Sequence, residues 1–164
     1  MKGRSTNRTI AAVLLVAGAG LGVANAMHLG VGPMIGVPLG ISAKLYTAPS
    51  LALDAGVGYS WFQDSSIQVH GDLMFHSHHL TSNPSEEGAL GVYVGLGAQV
   101  RMAGDSKNPV VASAFRMPIG FEYIFPSARF SLYAEAVPRF NLGTTDQYFG
   151  GDAVFGFRFY WTAG

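Results

Sequence analysis

An apolar side chain at every second position, sustained through segments of about ten residues, recurs over most of the chain from Leu51 onward. In Leu51-Ala52-Leu53-Asp54-Ala55-Gly56-Val57-Gly58-Tyr59, the set Leu51, Leu53, Ala55, Val57 and Tyr59 falls on one face, and Ala52, Asp54, Gly56 and Gly58 fall on the other. A spacing of two marks a strand whose faces meet different surroundings. The pattern predicts eight strands, at roughly 28–36, 38–46, 51–60, 66–75, 90–102, 110–124, 129–140 and 150–161. The fifth sets Leu90, Val92, Val94, Leu96, Val100 and Met102 against Gly91, Tyr93, Gly95, Gly97, Gln99 and Arg101. The eighth sets Ala153, Phe155, Phe157, Phe159 and Trp161 against Asp152, Val154, Gly156, Arg158 and Tyr160. Faces this aromatic need a covering other than water.

The front of the chain reads as an export signal over residues 1–26. Lys2, Arg4 and Arg8 precede an apolar stretch from Ile10 to Val23, and Ala24-Asn25-Ala26 is a small-x-small cleavage site. Gly18, Gly20 and Gly22 and the shortness of the run argue against a membrane-spanning helix. Cleavage would leave a chain of residues 27–164 with seven Lys/Arg against ten Asp/Glu, which argues against a nucleic-acid partner. The sequence holds no Cys, so no disulfide staples an exported domain. After residue 26 no apolar run is long enough for a helical span, but a membrane barrel conceals its apolar content in alternation.

If the apolar set faces lipid, the opposite set is interior, and it holds Lys44, Asp54, His70, Asp72, Arg101, Arg116, Glu122, Glu135 and Arg158. Four acids and four permanent bases predict ion pairs across a narrow, largely plugged interior, because an unpaired buried charge is costly. Gly56, Gly58, Gly91, Gly95, Gly97, Gly120 and Gly156 share that face and make room for long groups such as Tyr93, Tyr133 and Arg101. Tyr46, Tyr59, Trp61, Tyr123, Phe125, Phe140 and Trp161 lie near strand ends, where interfacial aromatic girdles are expected. Thr47-Ala48-Pro49-Ser50 and Phe125-Pro126-Ser127-Ala128 are tight turns, and longer joins follow strands three, five and seven. Two joins break the alternation: Gly36-Val37-Pro38 is short, and His76 to Ala89 is long. Pro33, Pro118 and Pro138 sit inside marked strands and call for bulges or bends, or else for a register displaced by one.

The expected fold class is therefore all-β: an eight-stranded antiparallel up-and-down transmembrane β-barrel preceded by a signal peptide. The rival is a soluble, lipocalin-like periplasmic binding barrel with its faces reversed. Its solvated face would need more than the 12% of charged residues present.

The region after residue 26 resembles the small uncharacterised outer-membrane β-barrel proteins of proteobacteria and spirochaetes. The resemblance rests on Gly40-Ile41-Ser42-Ala43-Lys44-Leu45-Tyr46, Ala52 to Tyr59, Val69-His70-Gly71-Asp72-Leu73-Met74-Phe75-His76 and Gly156-Phe157-Arg158-Phe159-Tyr160. In size it is broadly similar to the membrane domain of outer membrane protein A. The resemblance implies residence in the cell outer membrane, contact with its lipid and lipopolysaccharide, insertion by the barrel assembly machinery, and a monomer. It carries no catalytic residues to transfer. One departure is that Thr162-Ala163-Gly164 follow the final aromatic pair.

His76, His78 and His79 with Glu86 and Glu87 form a candidate metal cluster, although adjoining histidines on an extended chain point apart. Ser60 and His70, or His76 beside Ser77, are the nucleophile and base pairs a lipid-modifying enzyme would need. Neither has an acidic orienter at a diagnostic spacing. No catalytic, cofactor or metal residues are therefore assigned, and the expected role is structural or surface-interaction work. A narrow channel for ions or small solutes is the alternative.

Overall fold

The computed structural model describes residues 27–61, 65–77, 88–104, 110–126, 129–143 and 148–163. They form nine strands: β1 (Met27–Gly36), β2 (Leu39–Ala48), β3 (Leu51–Ser60), β4 (Ser66–Ser77), β5 (Ala89–Ala103), β6 (Val110–Arg116), β7 (Ile119–Ile124), β8 (Phe130–Leu142) and β9 (Phe149–Ala163). Every pairing is antiparallel. Consecutive strands pair from β1 to β5; β6 and β7 both lie between β5 and β8, β8 pairs with β9, and β9 with β1. Among the described residues no helix is long and apolar enough to cross a membrane.

The count of nine corrects the expected eight, and Pro118 is the reason. The segment expected as one strand over 110–124 is interrupted at Met117-Pro118, where a ladder donor is missing. Its register nevertheless passes through unchanged: Arg116 pairs with Gly97 and Ile119 with Val94 on one side, and with Arg139 and Ala136 on the other. Gly95 N donates to Pro118 O at 2.7 Å and Met117 N to Pro138 O at 2.9 Å, which holds the gap closed. Pro138 stays in step opposite Gly151. Beside Pro33 the β1–β9 ladder skips two positions and resumes in register, from Val31 opposite Phe159 to Met34 opposite Gly156. The prolines thus cost local hydrogen bonds and displace nothing. The short join after β1 is possible because Gly36 takes φ +144°, a conformation that L side chains rarely adopt.

Burial alternates along the strands as the spacing of two predicts. On β4 the string from Ser66 to Ser77 is strictly buried, then exposed, with Gln68, His70, Asp72, Met74 and His76 inward and Ile67, Val69, Leu73 and Phe75 outward. The outward wall is largely apolar, exposed at Ile41, Val57, Phe121 and Phe155 and half-buried at Leu45, Leu51, Leu90 and Leu132. The buried interior is mainly polar and charged.

Candidate functional site

Glycines determine how the inward side chains fit. A Cβ on Gly120 would lie 2.6 Å from the Tyr93 hydroxyl, one on Gly156 would lie 2.6 Å from the Tyr133 ring, and one on Gly56 would lie 2.5 Å from His70 Cε1. Gly30 is covered by the Tyr160 ring in the same way. These four inward side chains thus lie across the bare backbone of a neighbouring strand, and this helps a narrow interior to hold four tyrosines and ten charged groups.

Three clusters fill that interior. The first is centred on Glu122, which is 2% exposed. Its Oε2 accepts from Lys44 Nζ at 2.9 Å and from the Tyr46 hydroxyl at 3.0 Å. Its Oε1 accepts from Ser131 at 2.5 Å and from Tyr160 at 2.7 Å. His76 Nε2 stands 3.2 Å from Lys44 Nζ and 3.6 Å from the same carboxylate. In the second cluster Arg158 donates to Asp54 at 2.7 Å and to Ser42 at 3.2 Å, with its guanidinium 3.7 Å above the Tyr133 ring. Arg116 donates to Glu135 at 3.1 Å, a carboxylate that also accepts from Tyr93 at 3.0 Å. Arg158 also reaches toward Glu122 at 3.9 Å, which joins the two clusters. In the third, Arg139 grips both oxygens of Asp152 at 2.7 and 3.0 Å. Arg101 lies 3.8 Å from Asp152 and donates to Gln68 at 3.4 Å.

All nine charged or titratable residues expected on the inward face are there. Eight are buried, and the Arg101 side chain retains 17% exposure. Arg139 and Asp152 complete the set at five acids and five permanent bases. Arg139 follows Glu135 at a spacing of four on β8, so the alternation that placed Glu135 within the strand marked at 129–140 places it too. Two expectations are corrected. Tyr46 is not part of an outer aromatic girdle. It shares a face with Lys44, two residues earlier, and turns inward to Glu122, with ring contacts to His76 and Tyr160. His76 does not belong to a connecting loop, because β4 extends to Ser77 and commits its imidazole to the Glu122 cluster. The other members of the expected metal cluster, His78, His79, Glu86 and Glu87, lie outside the described residues.

The remaining aromatics at strand ends face outward. Tyr59 and Trp61 are in ring contact at one end of β3, and Phe140 meets Phe149 across β8 and β9. Tyr123, Phe125, Phe130, Phe159 and Phe157 form an unbroken series of ring contacts at the opposite end of β7–β9. A concavity of about 1010 Å³ is lined chiefly by wall side chains such as Phe75, Val94, Ile119, Phe121 and Phe155. His76, Ser77, Tyr93 and Glu135 also border this largely apolar furrow.

The serine–histidine pairs needed for hydrolysis are not assembled. Ser60 Oγ makes no hydrogen bond among the described residues. Ser77 faces outward while His76 faces inward. Asp54, His70 and Asp72 do converge, with one ligand-capable atom of each within 4.8 Å of the others.

No protein-family model matches the chain, and no curated protein matches it. Among solved structures, the N-terminal β-barrel domain of Pseudomonas aeruginosa OprF is similar, with a TM-score of 0.60. Sequence identity is 15%, over 84% of this chain and 98% of that one. The likeness is one of fold: an all-β, antiparallel architecture related to that of an outer-membrane protein. Within that architecture the buried salt-bridge network ties distant strands together.

Proposed function

We propose that the chain is an integral outer-membrane protein whose strands close into an eight-stranded up-and-down barrel, with β6 and β7 acting as one bent strand. Its interior is plugged by ion pairs, and its role is structural or surface-interacting: the barrel anchors its connections at the membrane surface. Residues 1–26 serve as the cleaved export signal, the wall meets lipid and lipopolysaccharide, and the barrel assembly machinery inserts the chain as a monomer.

The observation that carries this reading is the inversion of polarity. Side chains such as Leu96, Ile41, Phe121 and Phe155 are more than half exposed, while Lys44, Arg158 and Glu122 are buried to 2% exposure or less. A soluble lipocalin-like barrel requires the opposite arrangement. The backbone polar groups of a membrane-spanning sheet must be satisfied within the protein, and the antiparallel ladders that run from strand to strand support this. The interior also disfavours a channel, because side chains that pair across it occupy the volume a conducting path would need.

Fractionation of cells expressing the full chain with a C-terminal tag tests location and signal cleavage together. The folded protein should sediment with outer membranes, and its electrophoretic band should shift when the detergent extract is heated. Recovery in the aqueous fraction with unchanged mobility would refute the proposal. Planar-bilayer recording of the purified protein should show no discrete conductance steps; regular steps would favour the channel.

A further inference from the structure

Of the interior clusters, the one around Asp54, His70 and Asp72 is incompletely satisfied. Both oxygens of Asp72 and Nδ1 of His70 make no hydrogen bond among the described residues, although the two residues are only 5% and 6% exposed. Arg116 Nε stands 3.1 Å from Asp72 Oδ1 but is not aligned to donate to it. Asp54 gives Oδ2 to Arg158 and keeps Oδ1 turned toward His70, 3.8 Å from its Nε2. Asp54 and Asp72 are direct cross-strand partners, and His70 precedes Asp72 by two on the same face, opposite Gly56. A Cβ on Gly56 would strike the imidazole, and one on Gly97 would strike the Asp72 carboxylate, so two glycines leave the space in which these ligands sit.

Charge points the same way. The cluster that contains them has three carboxylates, Asp54, Asp72 and Glu135, against the guanidiniums of Arg116 and Arg158. The Glu122 cluster balances its carboxylate with Lys44, whereas Arg101 and Arg139 outnumber Asp152 in the third. The excess negative charge therefore lies where the unsatisfied ligands converge. A buried charge without a counterion is strongly unfavourable.

We propose that Asp54, His70 and Asp72 bind one divalent transition cation of the Zn²⁺ class inside the protein. One imidazole nitrogen and two carboxylate oxygens, completed by water, form a donor set suited to Zn²⁺ or Co²⁺. Ca²⁺ takes six to eight oxygen ligands and is a poor match. Ligand atoms around Zn²⁺ at about 2.1 Å stand roughly 3.4 Å apart. The ligand atoms now lie within 4.8 Å of one another, so binding would draw them together by side-chain rotation. The site requires only the inward face described above and does not depend on the membrane reading.

The test uses the full chain folded in detergent, equilibrated with Zn²⁺, separated from free ion by gel filtration and analysed for metal. About one equivalent should be retained by the wild type and by the His78→Ala/His79→Ala protein, as expected of a single three-ligand site. Retention should be lost in His70→Gln and in Asp72→Asn. Folding of every variant is read separately from its heat-shifted mobility, so a failure of the barrel reading is distinguishable from a failure to bind metal. On the wild type alone, Co²⁺ should broaden the amide signals of Gly56 and Gly97 before that of Gly88. Three results overturn the proposal: no retention by the wild type, undiminished retention by folded His70→Gln, or loss in the His78→Ala/His79→Ala protein.

Discussion

Replacing Arg158 with Ala removes the group that joins two interior clusters, and the structure allows its cost to be worked out. Arg158 is 1% exposed and engages Asp54, Ser42, the Tyr133 face and, more distantly, Glu122. Its loss leaves the Asp54 carboxylate, with a side chain 3% exposed, without its hydrogen-bonded counterion and with His70 at 3.8 Å. Breaking one side of a buried pair in this way costs about 3–5 kcal/mol. A desolvated cation–π contact is worth about 2 kcal/mol, and because the same atoms make both interactions the two do not add. The expected destabilisation is thus about 4 kcal/mol, or nearly a thousandfold in the folding equilibrium at about 1.4 kcal/mol per decade. Reversible urea unfolding from lipid vesicles, followed through Trp61 and Trp161, measures it. The double variant Asp54→Asn/Arg158→Met removes both charges, and its cost should fall short of the summed single costs by about 2–3 kcal/mol. A single-variant cost below about 1 kcal/mol, the range of exposed pairs, would mean that Arg158 is hydrated and the interior is not sealed.

Placing a charge on the wall should have a different effect: Val94→Arg or Phe157→Arg should lower the stability of the inserted state by about 2–4 kcal/mol if the position lies at mid-membrane, read as the folded fraction in vesicles. Tolerance of these changes equal to that of solvent-facing positions would reverse the assignment of faces. Gly30→Ala drives a methyl group into the Tyr160 ring and should cost about 1–3 kcal/mol by urea unfolding. In a Tyr160→Ser background that cost should largely vanish; if it persists, the backbone and not the ring is the obstacle. Glu122→Ala leaves Lys44 without its 2.9 Å counterion and should destabilise by about 3–5 kcal/mol, whereas Glu122→Gln keeps part of the hydrogen-bond set and should cost less. Equal costs would show that hydrogen-bond geometry contributes little at this carboxylate.

The division into faces was legible in the sequence because alternation is a local property: Asp54 falls between Leu53 and Ala55 whatever the rest of the chain does. The limits expected for β3 coincide with the observed ones, whereas β4 runs two residues further than expected, to Ser77. What local reading misses comes from two sources. Proline divides a strand that the alternation carries through: the pattern continues across Met117-Pro118 and so does the register, while the ladder itself is interrupted there. Tyr46 shows the second source. An aromatic near a strand end suits a girdle in isolation, and only the spacing of two from Lys44 assigns it to the interior. Partner identity was not legible at all: Arg158 and Asp54 are 104 positions apart, and Ser42 and Tyr133 are 91 apart.

Those long-range partners determine something the alternation leaves open. A spacing of two specifies register only modulo two, since sliding one strand by two residues keeps every apolar side chain outward and every polar one inward. Against water such a slip would move apolar surface at strand ends. Against the hydrocarbon surface proposed above it would change little, because the wall would offer lipid much the same aliphatic and aromatic surface in either register. The interior does discriminate. A slip of two between β2 and β3 would carry Asp54 roughly 7 Å along the sheet, away from Arg158 on β9, its partner at 2.7 Å. A slip between β8 and β9 would carry Gly156 away from the Tyr133 ring it accommodates and place a larger side chain there. Each displaced ion pair leaves a buried charge unpaired at about 3–5 kcal/mol, and each displaced glycine creates an overlap of about 1–3 kcal/mol. A few such penalties are comparable to the whole stability of a domain. The polar interior therefore contributes more to selecting one register among several equally apolar ones than to net stability, and this accounts for side chains of such specific pairing in a protein with no assembled catalytic group among its described residues.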